Sequence, residues 1–248
     1  MIVLKSAQQV EAIKAACRLV KKTLDLLQGH IKAGISTQKL DKIAAEAISA
    51  AGGEAAFFGY NGFPAHICTS VNEELVHGIP SERKLKETDI ITVDVGVKLN
   101  GFYGDAARTY AVSDKIPPEA QKLMQTAVSS LEKGIQQARA GRRLYDVSWA
   151  IQQEIEKSGF SVVRQFVGHG IGSELHEDPQ IPNFGKPGTG VELKPGMVLA
   201  VEPMLNAGGW EIEVLQDGWT AVTKDKRLCA HTEDTIYIGE SKTEILTR

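Results

Sequence analysis

Two aspartates, Asp94 and Asp105, stand in a stretch otherwise rich in Val, Ile, Gly and Ala, DIITVDVGVKLNGFYGDAARTYAV over residues 89–112. Asn100-Gly101 divides the stretch with a two-residue turn that tolerates positive φ at both positions, and so predicts a β-hairpin. With that turn fixed, Asp105 lies opposite Gly96 and Asp94 opposite Ala107, which puts both carboxylates on one face as diagonal neighbours. Diagonal positions are roughly 7–8 Å apart at Cα, a range at which two carboxylates can straddle one metal ion or a pair of them. Like charges in an apolar hairpin resist burial unless something positive sits between them. The bland alternative is a solvated strand face, but Gly96 and Gly104 point to a backbone kept bare near a bound group.

Further donors stand elsewhere in the chain. Glu202 lies in MVLAVEPML, Glu233 and Asp234 in RLCAHTEDTIYI, His77 in TSVNEELVHGIP, and His169 and His176 in VVRQFVGHGIGSELHEDPQIP. Four carboxylates with one or more imidazoles suit two divalent ions, manganese, iron, cobalt or zinc ahead of calcium. Two ions about 3.5–4 Å apart bind a water between them, lower its pKa and polarise a carbonyl oxygen, which is hydrolase chemistry. The run Gly168-His169-Gly170-Ile171-Gly172 is no dinucleotide loop, because Pro179 and Pro182 follow where a helix is needed and GxGxxG is not matched. Its glycines instead let the backbone pass close to a metal-bound imidazole. His30 and His66 read as solvated or hydrogen-bonded residues, and His231 stays open, two residues from Glu233. Cys68 lacks a local base signature for a nucleophile and reads as a small pocket-wall residue.

The elements that must carry these residues repeat a plan. Ser6 caps a helix to about Gly29 with Val10, Ile13, Cys17, Val20, Leu24 and Leu27 on one face; Ser36 or Thr37 caps a second, ended by Gly52-Gly53. After Pro117-Pro118 a helix from about Glu119 to Ala140 carries Leu123, Ala127, Leu131 and Ile135. A constant offset of 107 residues superposes Lys32-Ala33-Gly34 on Arg139-Ala140-Gly141, Ile48 on Ile155 and Gly52 on Gly159. This reads as one catalytic domain over 1–248 with two pseudo-symmetric halves, about 1–115 and 116–248. The same offset carries Asp94 to Val201, beside Glu202. An extra hairpin with Asp217-Gly218 at its turn pushes the partner of Asp105 downstream, to Glu233 or Asp234. The fold implied is α+β, with strands curving into a mainly antiparallel sheet and helices outside it.

Bulk properties narrow the class. A chain of 248 residues with 42% hydrophobic and 24% charged residues has the composition of a globular protein. A net charge of −3 with scattered Lys and Arg carries no nucleic-acid footprint. No apolar run approaches the length of a membrane span, and the first residues lack a secretory signal pattern. Three cysteines, Cys17, Cys68 and Cys229, fit a reducing compartment, so a cytoplasmic protein is expected.

The blocks TSVNEELVHGIP, VDVG with GFYGDAA, GHGIGSELHEDPQIPN, PGMVLAVEPM, and DGWTAVTKD with AHTEDT stand in the order and spacing of one family. Over essentially its whole length the chain resembles a type I methionine aminopeptidase of the bacterial kind. The resemblance implies a pita-bread fold and removal of initiator methionine from nascent polypeptides with a small second residue, by a monomer working at the ribosome. It implies five metal ligands, Asp94, Asp105, His169, Glu202 and Glu233, which decides for Glu233 over Asp234. Asp105 and Glu233 bridge two ions, Asp94 serves one, and His169 with Glu202 the other. By the same resemblance Glu202 is the general base, His176 holds the carbonyl oxygen and His77 contacts the scissile amide nitrogen. The methionine pocket falls to Tyr60, Phe63, Cys68, Leu175 and Trp219 together with His77 and His176. The family often has tyrosine at Phe63, phenylalanine at Leu175 and cysteine at Phe57; these departures keep the pocket apolar while altering its width.

Two other functions fit parts of the pattern. An Xaa-Pro dipeptidase or aminopeptidase shares fold and ligands but usually carries a preceding domain, whereas here the helical start is at residue 6. A non-catalytic binding module on this fold is expected to lose ligands, and all five are present.

Overall fold

The computed structural model describes residues 1–248. Helix α1 (Ala7–Gln28) starts where Ser6 and Gln9 cap each other reciprocally: each backbone N–H donates to the other's side chain. Its expected apolar face is buried throughout. Helix α2 (Thr37–Ala50) is capped by Ser36, which accepts from Lys39 N, and the chain turns away at Gly52 with φ +77°. Helices α3 (Pro118–Gln137) and α4 (Leu144–Lys157) form the second pair. Both ends of α4 follow those of α2 by the offset read in the sequence. α3 stops short of the expected Ala140 because Ala138 leaves the helical region (ψ 76°).

Strands Ile90–Leu99 and Phe102–Ala111 meet at Asn100 and Gly101, both at positive φ, and pair Asp94 with Ala107 and Gly96 with Asp105 as the turn predicts. Alternation then divides the hairpin's labour. Ile91, Val93, Val95 and Val97 pack into one core with Val20, Leu24, Leu40 and Ile48 of α1 and α2, which leaves Asp94 on the opposite face. A second core joins Leu123 and Leu131 of α3, Ile151 and Ile155 of α4, and Leu199, Val201, Leu205 and Ile236.

The two glycines beside the aspartates do different jobs. A Cβ on Gly96 would meet the ring of Phe57, which lines the central cavity. A Cβ on Gly104 would meet Cys17 of α1, 2.7 Å from its backbone N. Gly104 therefore lets helix and strand approach on the face away from the aspartates, rather than clearing room for a bound group.

Every strand pairing is antiparallel, and the strands form four hydrogen-bonded groups of three to five rather than one unbroken sheet. The breaks matter. The apolar run MVLAVEPML is two strands, Val198–Val201 and Met204–Asn206, parted at Glu202-Pro203, where proline has no N–H to give the ladder. Likewise Cys229–His231 and Asp234–Ile238 are parted at Thr232-Glu233. The extra hairpin pairs Ile212–Val214 with Ala221–Thr223, and the latter also pairs with Glu74–Val76, which brings Trp219 and His77 to the same wall.

Backbone and hydroxyl bonds sew the first hairpin to the last strands. Glu233 N donates to Ala107 O (2.9 Å), Thr235 Oγ1 to Asp105 O (2.7 Å) and Thr109 Oγ1 to His231 O (2.7 Å). Arg108 donates to Glu233 O and, at 2.6 Å, to Asp234 Oδ1. Gly104→Ala should cost about 1–3 kcal/mol of stability, since the obstacle is helix backbone that cannot swing aside; denaturant unfolding measures it, and a wild-type midpoint would show that α1 is not held this close.

Candidate active site

All of the candidate site residues line one cavity of about 270 Å³: Asp94, Asp105, His169, Glu202 and Glu233, His77 and His176, and Tyr60, Phe63, Cys68, Leu175 and Trp219. Asp94 and Asp105 arrive from the hairpin, Glu202 and Glu233 from the two strand breaks, and His169 from strand Val167–Gly170, where it pairs with Ala200. Gly168 is obligatory beside it, because a Cβ there would collide with Ala200 O and press on Glu202 Cγ at 3.3 Å.

Single ligand-type atoms of Asp105, His169 and Glu233 lie within 4.8 Å of one another. His169 Nδ1 hydrogen-bonds Gly170 O at 2.9 Å, so the proton sits on Nδ1 and the Nε2 lone pair is free; Nε2 stands 3.7 Å from Glu202 Oε1. Asp94 Oδ1, Asp105 Oδ1 and Glu233 Oε1 are buried without any hydrogen-bond partner. Burial drives the carboxyls of Asp105, Glu202 and Glu233 well above the usual range, and that of Asp94 to about 7. Burial pushes His169 the other way, down to about 3. No lysine or arginine lines the cavity.

Buried acids without a counter-charge or donors are costly, and native structures rarely leave such groups orphaned. The donor set resolves the cost: carboxylate oxygens of Asp105 and Glu233 beside the neutral imidazole nitrogen of His169, close enough to share one ion, are what a divalent transition ion takes. The residues present therefore fit the metal that the sequence pattern anticipated.

The remaining wall is apolar. Phe63 meets Trp219 edge-on (5.1 Å between centroids), and His77 packs edge-on against Phe166 (5.4 Å) and Trp219 (6.3 Å). His77 has φ +59°, an unusual backbone for a residue with a side chain, of the kind that collects at functional sites. Cys68 pairs with Asp94 across strands, and burial, aided by that carboxylate, holds its thiol well above the usual range. It is a neutral wall residue and no nucleophile.

His176 is reached from two sides: Tyr60 Oη lies 2.7 Å from its Nδ1, and its ring meets that of His169 edge-on at 4.3 Å. His231, left open by the sequence, lines the cavity fully buried. Its Nε2 is 3.4 Å from Glu202 Oε2 without hydrogen-bonding geometry, and neither ring nitrogen has a partner. Its place two residues before Glu233 was the available signal. Phe57, which the resemblance had placed at the pocket, lines it, and so do Val76, Phe166, Val167 and Met204, which only their nearness in sequence to chosen residues marked. His66 lies outside the cavity, bonded through Nδ1 to Asp41 Oδ2 at 2.9 Å and stacked on Phe58, and His30 is also outside it.

Helices outside antiparallel strands, with an apolar pocket ending in oxygen and nitrogen donors, define a metal-dependent hydrolase of the pita-bread fold. The chain belongs to metallopeptidase family M24, whose model matches residues 11–240, and within it to the methionine aminopeptidases. It is 52% identical over 248 residues to methionine aminopeptidase 1 of Bacillus subtilis (strain 168), covering 100% of both chains. The crystal structure of methionine aminopeptidase from Thermotoga maritima superposes with a TM-score of 0.98 at 46% identity, covering 100% of each chain. Prolidase from Pyrococcus furiosus shares the fold alone, with a TM-score of 0.81 at 20% identity over 99% of this chain and 65% of that one.

A pH prediction follows from the buried acids. Their folded pKa values exceed those of the unfolded chain, so above pH 7, where unfolded histidines have already lost their proton, the folded state binds more protons than the unfolded one. Stability of metal-free protein should accordingly fall from pH 7 to pH 8.5, and a divalent ion should remove that slope. Thermal melts with and without chelator measure it, and equal slopes in both would mean the acids are not bare.

Proposed function

We propose that this chain removes the N-terminal methionine from nascent polypeptides whose second residue is small, acting as a cytoplasmic monomer near the ribosome. The supporting observation is the gathering of the orphaned carboxylates of Asp105 and Glu233 with the neutral imidazole of His169 in a cavity of largely apolar wall. Asp94, Asp105, His169, Glu202 and Glu233 would hold two divalent ions, Asp105 and Glu233 serving both, Asp94 one, and His169 with Glu202 the other. When bound, the ions supply a water of lowered pKa and Lewis-acid polarisation of a carbonyl oxygen.

The chain's own residues do the rest. Tyr60, Phe63, Cys68, Leu175 and Trp219 take the methionine side chain and exclude water from it. Glu202, whose environment raises its proton affinity, is the base that removes a proton from the attacking water. Burial lowers the pKa of His176, so its imidazole is neutral, and it donates a hydrogen bond to the carbonyl oxygen as that atom becomes negative and the carbonyl carbon tetrahedral. His77, across the cavity against Trp219, contacts the scissile nitrogen and aids departure of the amine.

Protein stripped with chelator should be inactive and regain hydrolysis of Met-Ala-Ser with one or more of Mn, Fe, Co and Zn, while Met-Leu-Ser and an Xaa-Pro dipeptide remain poor substrates. Preference for the Xaa-Pro dipeptide would overturn the substrate assignment. His176→Ala should lower kcat by about 10²–10³; a change confined to KM would remove it from the oxyanion role.

A further inference from the structure

The two histidines that meet edge-on in the cavity are tied, through the nitrogens they do not turn to the reaction, to partners of opposite kind. His169 Nδ1 faces a backbone carbonyl, Gly170 O, which can only accept. His176 Nδ1 faces the hydroxyl of Tyr60 at 2.7 Å, which can donate. Between a phenol and a neutral imidazole the direction of the bond is decided by basicity. The sp² nitrogen is a strong acceptor, the phenol oxygen a weak one, and the phenol proton is the more acidic donor. Tyr60 Oη–H therefore donates to His176 Nδ1, and the imidazole proton is left on Nε2.

We infer that Tyr60 is a positioning residue: its hydroxyl holds His176 as the Nε2–H tautomer, opposite to the Nδ1–H tautomer that Gly170 O imposes on His169. One ring thus offers its Nε2 lone pair and its neighbour an Nε2–H, so identical side chains become an acceptor and a donor. The inference rests on the reading of His176 as the donor to the carbonyl oxygen.

The backbone around Tyr60 is built for this aim. Gly59, Asn61 and Gly62 all have positive φ (78°, 49° and 88°), and the turn is closed by Gly59 N to Phe63 O (2.9 Å) and Phe63 N to Tyr60 O (2.9 Å). Asn61 is held in the left-handed region without being glycine. The hydroxyl serves no other partner in the structure.

Nitrogen-15 spectra of imidazole-labelled protein, metal-free and zinc-loaded, test it directly, with the His176 signals identified by their loss in His176→Ala. Long-range proton–nitrogen couplings should show protonated Nε2 in His176 and protonated Nδ1 in His169; protonated Nδ1 in His176 would overturn the inference whatever the activity. Tyr60→Phe keeps the ring in the pocket, so kcat should fall about tenfold with KM nearly unchanged. In the His176→Ala background the same change should have no further effect on kcat. An undiminished effect there would show that Tyr60 acts independently of His176. A full-rate His176→Ala enzyme would instead remove the oxyanion reading, a result separable from the tautomers seen in the spectra.

Discussion

The burial of four carboxylates around one cavity, with three of their oxygens orphaned, is the constraint from which the rest of the architecture follows. Such a cluster opposes its own folding: Asp94 and Glu202 raise the pKa of Asp105, all three raise that of Glu233, and the surrounding wall of Phe, Trp and Leu withholds water. A scaffold that keeps the acids together must be stiff and must draw that stiffness from elsewhere. The two helix-backed cores supply it on the outer sides of the strands.

The acids also come from distant parts of the chain. Hydrogen bonds from Glu233 N, Thr235 Oγ1 and Thr109 Oγ1 lock the Asp105 strand to the residues around Glu233, so the separation of those two acids is fixed by backbone rather than by flexible side chains. Glu202 and Glu233 gain their freedom to point inward from the ladder breaks where they stand, while Asp94 and Asp105 need no break because alternation already turns them inward.

The contrast explains what could be read in advance. A two-residue turn sets register arithmetically, so the Asp94–Ala107 and Gly96–Asp105 pairs were legible from Asn100-Gly101 alone, as were helices carrying their own caps and periodic apolar faces. The broken strands were less so: Pro203 is the one local mark of the break in MVLAVEPML, and nothing comparable marks the break at Thr232-Glu233. Gly104 was misread because a strand glycine signals close approach without saying by what, and the neighbour is α1. Contacts such as Tyr60 with His176 bridge residues 116 apart, which no local pattern encodes.

Glu233 and Asp234 are neighbours with opposite fates. Glu233 lines the cavity, while Asp234, fully buried behind it, is held by Arg108, by Arg248 Nε at 2.7 Å and by Thr247 Oγ1 at 2.7 Å. If the strand slid by a single residue so that Asp234 took the place of Glu233, the aspartate would leave its salt bridges for the cavity. A guanidinium would lose its partner while the cavity kept a misdirected carboxylate, and both errors would be buried. The adjacent pair thus acts as a ratchet on strand alignment, penalising a misthreaded chain before any ion has been captured.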